Sequence, residues 1–352
     1  MRLRLRRDRL HEKILVTGAG GYVGVPLCRE LIRRGYRVVA LDRYFFGKEK
    51  LGELARNEKL EVVVQDIRHF NPKLLKGLDG VIDLAGLSND ASSDIDPSLT
   101  QAINLEGGAR LAKAAKEMGI RRYVYSSSAS VYGHGLKTSL VESDECRPQT
   151  LYAKSKLHVE TELKKLEGPG FEPVIFRNAT IFGLAPRMRF DLAVNIMTLR
   201  AWKERVIYVM GGGEQWRPFV HVNDVVDVLV RGLEADAGIV AGEIFNVGDE
   251  GMNYQIRQLA QFVLDVIPNV KVHYIPDDPD KRTYNLSFGK IKQMLGFEAK
   301  TKVHEGIVEI KQALDRGIVS GDDPTCYTLQ WYKSLIDWEK RIKDMQIDGK
   351  LM

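Results

Sequence analysis

Short apolar runs alternate with segments of helical periodicity through the first half of the chain. The apolar runs predict strands at 14–17, 37–41, 60–64, 80–84, 122–125 and 174–176, and helical spacing predicts helices at 25–34, 98–118 and 152–167. Strands that alternate with helices form a parallel sheet with helices on both faces, and such strands are buried on both sides. The pattern therefore predicts an α/β fold built on a doubly wound parallel sheet.

This regular alternation ends beyond residue 183. A segment rich in Arg, Trp and Gly follows at 186–217, and a segment with several Pro and Asp residues lies at 268–283. We place a smaller, discontinuous α/β substrate-binding lobe at about 184–219 and 249–325, which leaves 12–183 and about 220–248 to the sheet domain. Residues 1–11 form a basic arm, and residues 326–352 form a helical tail that we expect to pack on the body or on a second subunit.

The first predicted strand runs into a glycine-rich turn that opens the first helix. Gly18, Gly21 and Gly24 have the spacing G-x-x-G-x-x-G. The first glycine allows a tight turn, the second lets a pyrophosphate approach the backbone, and the third lets the helix pack close to the strand. Phosphates would lie at the helix N-terminus, where free N–H groups favour anions. The turn therefore predicts a dinucleotide site on a Rossmann-type sheet.

Acidic residues follow the second and third predicted strands. Asp42 lies where a carboxylate would accept hydrogen bonds from an adenosine ribose and repel a 2′-phosphate, which favours NAD over NADP. The neighbouring Arg43 could serve a 2′-phosphate and keeps NADP open. Asp66 and Ile67 are candidate contacts to the adenine edge. A turn residue at 42 and a helix N-cap at 66 are the structural alternatives.

A tyrosine and a lysine four residues apart are the candidate catalytic pair. Tyr152 and Lys156 lie on one face of a predicted helix. A phenol with a pKa of about 10 is a poor base, but a neighbouring ammonium favours the phenolate. Such a pair can remove a hydroxyl proton while hydride leaves for the cofactor. Ser128, in a serine-rich segment, can bind the reacting oxygen. Each feature alone would also suit a solvated helix face or a polar turn.

Composition mainly excludes other classes of protein. The chain has 352 residues, with 52 Lys and Arg against 47 Asp and Glu, a net charge of +5 that is mild for a nucleic-acid partner. No apolar stretch approaches the roughly 18 residues of a membrane span. The cysteines (28, 146 and 326) form no C-x-x-C pair and the histidines show no ligand spacing, which predicts a reducing, cytoplasmic location and no metal site. The N-terminal arginines suit an arm for an anionic surface or a solvated leader.

Seven motifs, in order, resemble the extended short-chain dehydrogenase/reductase family, in its branch of NAD-dependent nucleotide-sugar epimerases and dehydratases. They are TGAGGYVG at 17–24, LAG at 84–86, NLEG at 104–107, SSSASVYG at 126–133, YAKSK at 152–156, RPFVHVND at 217–224 and FNVG at 245–248. The resemblance spans residues 13 to about 310. It implies an NAD cofactor, a substrate-orienting Ser128, Tyr152 as the base, and Lys156 as the residue that binds the nicotinamide ribose and lowers the tyrosine pKa.

The resemblance also implies further contacts and a homodimer. Cofactor contacts would include Tyr22, Val23, Leu84, Ala85, Gly86, Asn104 and Ser126. Substrate contacts would include Ser88, Ser130, Thr180 and Asn195, with Arg217 and Arg282 gripping a nucleotide-sugar diphosphate, as guanidinium forks suit phosphate oxygens. Arg187 and Arg189, in a basic segment, would touch substrate or form surface salt bridges. Two helices per subunit, 98–118 and 152–167, would form the dimer, with Leu105, Ala109, Ala112 and Ala115 as a small-residue face.

Position 130 departs from part of this branch. Members that dehydrate or decarboxylate the sugar carry an acidic residue there, and those that epimerise by proton transfer use Cys and His. This chain has Ala129 and Ser130, with only His134 close by. The departure favours hydride transfer alone, as in an NAD-dependent nucleotide-sugar 4-epimerase. The alternatives are an NAD(P)H-dependent 4-ketoreductase of a nucleotide-linked 4-keto-deoxy sugar and a non-catalytic cofactor-sensing protein.

Overall fold

A seven-stranded parallel sheet forms the centre of the structure and confirms the predicted fold class. The computed structural model describes residues 12–133, 139–277 and 282–351. The sheet has the order β10-β6-β5-β4-β1-β2-β3. Its strands are β1 (Lys13–Thr17), β2 (Arg37–Asp42), β3 (Leu60–Val64), β4 (Gly80–Asp83), β5 (Arg122–Ser128), β6 (Glu172–Asn178) and β10 (Ile244–Val247).

Helices connect these strands and cover both faces of the sheet. They are α1 (Gly24–Arg33), α2 (Asp90–Ser93), α3 (Pro97–Thr100), α4 (Gly108–Glu117), α5 (Leu151–Leu166), α6 (Ala193–Glu204), α7 (Val222–Glu234), α8 (Ala237–Val240), α9 (Ile256–Val266), α10 (Gly289–Leu295), α11 (Val303–Asp315) and α12 (Thr328–Met345). Two hydrophobic clusters fill the space between helices and sheet, one on each side of β1, where Val16 faces one cluster and Leu15 faces the other. This two-sided burial explains the unbroken apolar runs in the strand sequences.

The fifth strand is longer than the sequence predicts. We expected it to end near Tyr125, yet β5 continues because the next three serines pair with β6, Ser126 with Phe176 and Ser128 with Asn178. The serines therefore stand in regular strand geometry at the carboxyl edge of the sheet. Ser128 is fixed by the sheet itself, which suits a residue that must hold a reacting oxygen.

The helix predicted over 98–118 is divided. The structure has α3, a π-helical segment at Gln101–Gly107, and then α4. Asn104 lies in the π segment, where its carboxamide accepts from the Leu87 nitrogen at 2.7 Å and donates to the Leu87 oxygen at 3.0 Å. The expected dimer face is also partly wrong, because Ala112 and Ala115 are fully buried within the single chain.

Smaller sheets lie in the part of the chain where alternation ends. One joins β7 (Thr180–Phe182), β9 (Trp216–His221) and β11 (Asn253–Gln255), and the other joins β8 (Val206–Met210) to β12 (Lys271–Ile275). The division into two lobes, the homodimer and the cytoplasmic location stay predictions. The predicted basic arm at 1–11 and His134 lie outside the described residues. Within the described ranges, no helix is both long and apolar enough to cross a membrane.

Candidate active site

One cleft of about 810 Å³ runs along the carboxyl edge of the central sheet and joins most of the predicted site residues. Parallel sheets bind ligands at this edge. Asn104 and Asn195 do not line the cleft. The predicted residues that do so are Gly18, Gly21, Tyr22, Val23, Gly24, Asp42, Arg43, Asp66, Ile67, Leu84, Ala85, Gly86, Ser88, Ser126, Ser128, Ser130, Tyr152, Lys156, Thr180, Arg187, Arg217 and Arg282.

The glycine-rich turn has the geometry that a dinucleotide requires. Gly18 has φ +66°, and an added Cβ there would lie 3.0 Å from the backbone of Leu84. A Cβ on Gly24 would overlap the carbonyl oxygen of Gly18. Helix α1 begins at Gly24 with no side-chain cap, so no side chain occupies the N-terminal end of the helix, where an anion would bind. The Val25 N–H donates to the Gly21 oxygen at 3.2 Å. The turn therefore fits the pyrophosphate of a dinucleotide.

The carboxylate of Asp42 is set beside this turn by backbone donors. It accepts from the Gly20 nitrogen at 3.0 Å and from the Tyr44 nitrogen at 2.6 Å. Burial raises the pKa of Asp42, although these N–H donors oppose the shift. Arg43 turns toward Asp66, at 3.4 Å, with about half of its side chain exposed. Burial also acts on Asp66, but hydrogen bonds from Arg68 outweigh it and lower the pKa of Asp66.

Ser128, Tyr152 and Lys156 meet at the middle of the cleft. The Lys156 ammonium donates to the Ser126 oxygen at 2.8 Å and stands 5.9 Å from the centre of the Tyr152 ring. Burial raises the pKa of Tyr152 to about 12, with Asp90 adding to the rise and the hydrogen bond with Ser128 opposing it. Burial lowers the pKa of Lys156 to about 8. The resemblance implies that Lys156 lowers the tyrosine pKa, but here burial dominates and the pKa of Tyr152 is raised instead. Both groups line the cleft, where a substrate hydroxyl would reach them.

Buried charges below this pair hold it in place. Asp83 accepts from the Thr17 hydroxyl at 2.6 Å and from the Tyr123 hydroxyl at 2.8 Å. Glu160 forms a buried ion pair with Arg177 at 2.7 Å and accepts from the Ser127 hydroxyl. Sequence reasoning missed Glu160 and Arg177. Glu160 continues the four-residue spacing of the catalytic tyrosine and lysine, which was the available signal.

Charged residues on the far wall of the cleft are already paired. Arg282 binds Asp90 at 2.8 Å, and Asp90 also accepts from the Thr150 hydroxyl. Arg189 binds Asp191 at 2.8 Å. Arg217 donates to the backbone oxygen of Trp216 at 2.9 Å and to that of Arg282. Both predicted diphosphate ligands, Arg217 and Arg282, therefore stand close together on this wall.

Three further predicted substrate residues, Asn195, Arg187 and Ser130, form no ion pair among the described residues. The carboxamide of Asn195 accepts from the Gly183 nitrogen at 3.1 Å and donates to the Tyr22 hydroxyl at 3.2 Å and the Arg189 oxygen at 3.0 Å. Arg187 lies against Phe46, on the cofactor side of the cleft. The hydroxyl of Ser130 is buried in the cleft, and no described residue hydrogen-bonds to it.

Comparison with known proteins decides the family. Residues 14–248 match the model of the NAD dependent epimerase/dehydratase family. The chain belongs to this family. It is 30% identical over 324 residues to UDP-glucuronic acid decarboxylase 1 of Arabidopsis thaliana, covering 88% of this chain and 72% of the relative. It is 29% identical over 317 residues to UDP-glucose 4-epimerase of Mycolicibacterium smegmatis, covering 84% and 96%.

A solved structure confirms the fold of this epimerase/dehydratase family member. UDP-glucuronic acid 4-epimerase from Bacillus cereus, in complex with UDP-glucuronic acid and NAD, superposes with a TM-score of 0.79 at 22% identity, covering 86% of this chain and 99% of that one. The family depends on NAD, and the glycine-rich turn and Asp42 stay the predicted site of that cofactor. The family contains several reactions, and the residues in the cleft must distinguish among them.

The pH dependence of this family member follows from the two shifted pKa values. Below about pH 8 both Tyr152 and Lys156 keep their protons, so neither residue can accept a proton from the substrate hydroxyl. Loss of one proton allows the state in which the phenolate faces the ammonium. We expect kcat/KM to rise with pH up to about 8 and then level off, and we expect Lys156→Met to move the rise to higher pH. A pH–rate profile that falls between pH 6 and 8 would contradict this assignment.

Proposed function

We propose that the protein is an NAD-dependent nucleotide-sugar 4-epimerase. The observation that carries the proposal is the residue at position 130. A serine stands there with a buried hydroxyl that is left without a partner among the described residues, where dehydrating and decarboxylating members of the family carry an acid. Hydride transfer needs no such acid, and a free hydroxyl can still bind a sugar hydroxyl.

The nearby carboxylates do not take the place of the missing acid. Asp90 is paired with Arg282 and accepts from Thr150. Asp191 is paired with Arg189; burial acts to raise its pKa, but this ion pair outweighs the effect and lowers it. The ion pair that keeps Asp191 ionised makes it a poor proton donor, and Asp90 is already engaged by Arg282 and Thr150. The cleft therefore offers Tyr152 as its acid–base group and favours a reaction that returns hydride rather than one that eliminates water or carbon dioxide.

Each residue then has one role in the reaction. Arg217 and Arg282 bind the diphosphate and hold the sugar against the sheet edge. Ser128 binds the 4-oxygen, and Tyr152 removes the proton from it and later returns the proton. Lys156 stabilises the phenolate. When bound, NAD would supply hydride exchange at the sugar C4, which would invert that carbon if the hydride were returned to its opposite face.

The test begins with protein purified without added cofactor. Native mass spectrometry measures the bound nucleotide, and UDP-, GDP-, CDP- and dTDP-sugars are then offered in deuterated water. We expect retained NAD, a sugar inverted only at C4, no net reduced cofactor, and no solvent deuterium in the product. The absence of deuterium distinguishes the reactions, because a hydrogen transferred as hydride does not exchange with water, whereas a hydrogen lost by enolisation beside a ketone does.

Other outcomes would assign another reaction. Release of carbon dioxide, or deuterium at C5, would overturn the 4-epimerase in favour of a decarboxylase or dehydratase. An empty protein that oxidises added NADH or NADPH only with a 4-keto sugar would show the 4-ketoreductase. Binding of NAD without turnover of any sugar, together with biological activity that survives Tyr152→Phe, would show a cofactor sensor.

A further inference from the structure

The C-terminal helix is anchored on the loop that follows Asp42. The Trp331 indole nitrogen donates to the Phe45 oxygen at 2.6 Å. The ring of Tyr332 meets Phe45 edge-on at 6.0 Å and Phe46 at 5.4 Å. These contacts tie α12 to the segment that carries the predicted ribose ligand. Helix α12 lies beyond residues 14–248, the part of the chain that the family model matches.

Side chains of the C-terminal segment also enter the cleft. Tyr327, Gln330 and Tyr332 line the same cleft as the glycine-rich turn. Most of the cleft wall comes from loops of the sheet domain, so these three residues add a wall from the far end of the chain. The wall stands at the adenosine end of the cleft, because Tyr332 packs against the two phenylalanines that follow Asp42.

Arg187 lies between this wall and the sheet. Its guanidinium carbon is 3.6 Å from the centre of the Phe46 ring, and one terminal nitrogen donates to the Thr328 hydroxyl at 2.8 Å. The side chain is 2% exposed, and its Nε finds no hydrogen-bond partner among the described residues. No carboxylate in the described ranges lies within ion-pair distance of Arg187, whereas Arg189 has Asp191.

A buried guanidinium with an unused donor is costly unless an anion reaches it. Burial, with Arg189 nearby, lowers the pKa of Arg187 to about 10, and the charge of Asp191 only partly opposes this shift. The cleft it lines binds a dinucleotide, whose phosphates are anions. A planar guanidinium fork matches phosphate oxygens, and the adjacent aromatic rings exclude water and strengthen the contact.

We propose that α12 completes the cofactor site, with Arg187 binding the phosphate-bearing part of NAD and Tyr332 covering the adenosine end and slowing release of the cofactor. Arg187 thereby moves from the predicted substrate set to the cofactor set. Only the cofactor is involved, so the proposal stands apart from the identity of the sugar. Its test needs no turnover.

The first experiment measures binding to the full chain stripped of cofactor. Isothermal titration compares NAD, ADP and adenosine as ligands of Arg187→Gln, with the exposed Arg257→Gln as the matched control. We expect NAD and ADP to bind about tenfold or more weakly, the effect of losing one hydrogen bond to a charged group, while adenosine binding and the control stay unchanged. If Arg187→Gln lost the same affinity for ADP as for adenosine, or lost no affinity for ADP, the proposed phosphate contact would be overturned.

The second experiment measures release. NAD is displaced from Tyr332→Ala by excess ADP-ribose, with the exposed Tyr274→Ala as the matched control and thermal midpoints as the check on folding. We expect faster release from Tyr332→Ala only. Native protein supplies an independent reading if that variant is unstable, since bound NAD should slow hydrogen exchange of the backbone amides in α12. Unchanged release from a folded variant, or unchanged exchange in α12, would overturn the covering role.

Discussion

Tyr152→Phe should lower kcat by about 10²–10⁴-fold, the usual contribution of a positioned acid–base group. The substitution removes one oxygen and leaves the ring, so packing against Lys156, 5.9 Å from the ring centre, stays. The glycine-rich turn and Asp42 are untouched, so NAD binding should be unchanged. Turnover of the sugar found in the substrate screen measures the rate, and isothermal titration measures the cofactor.

The matched control is Tyr274→Phe, because Tyr274 is 57% exposed and is not among the residues that line the cleft. It should keep full activity and the same NAD affinity. A Tyr152→Phe protein that retains near-native kcat would show that another group moves the proton. A loss of NAD binding in Tyr152→Phe would show that the phenol is structural rather than catalytic.

Arg177→Met should lower the free energy of unfolding by about 3–5 kcal/mol, the usual effect of breaking a buried ion pair. Both side chains of the pair are almost fully buried, and the guanidinium makes three contacts of 2.7–3.2 Å to the Glu160 carboxylate. Removing the cation leaves the Glu160 carboxylate buried, with the Ser127 hydroxyl as its remaining hydrogen-bond partner among the described residues. Urea unfolding followed by tryptophan fluorescence measures the loss.

The double variant Arg177→Met/Glu160→Leu should recover most of that stability, since two apolar side chains leave no buried charge. Glu339→Gln breaks the exposed pair between Glu339 and Lys343 on α12 and should change stability by about 0.5 kcal/mol or less. If Arg177→Met were as mild as this surface variant, the pair would not support the serine-bearing strand. A double variant no more stable than the single one would also contradict this explanation.

The central sheet could be predicted because its strands are buried on both faces. Strands buried on both faces need apolar side chains at successive positions, so they appear in the sequence as unbroken apolar runs such as 14–17 and 37–41. The convergence of the three candidate catalytic residues could be predicted for a related reason. Ser128 follows one of those runs, and Tyr152 and Lys156 have a helical spacing, so regular elements bring all three to the sheet edge.

Other parts of the site depend on contacts between distant segments. The π-helical turn at Gln101–Gly107 accompanies hydrogen bonds between Asn104 and Leu87, one in each direction, and no local periodicity in the sequence predicts such a pair. Arg187 looked like a substrate ligand because its segment is basic, whereas its position follows from packing on Phe46, 141 residues earlier in the chain. The buried position of Glu160 could not be predicted, because a charged residue on a predicted helix is usually exposed to solvent.

The position of α12 at the end of the chain also orders events during synthesis. The last strand of the central sheet ends at Val247 and α12 begins at Thr328, 81 residues later. At about 5–20 residues per second, translation takes about 4–16 s to make that stretch. The glycine-rich turn and Asp42 therefore emerge before α12, and under the proposed role of this helix a nascent chain can acquire its nucleotide before α12 is available to enclose it.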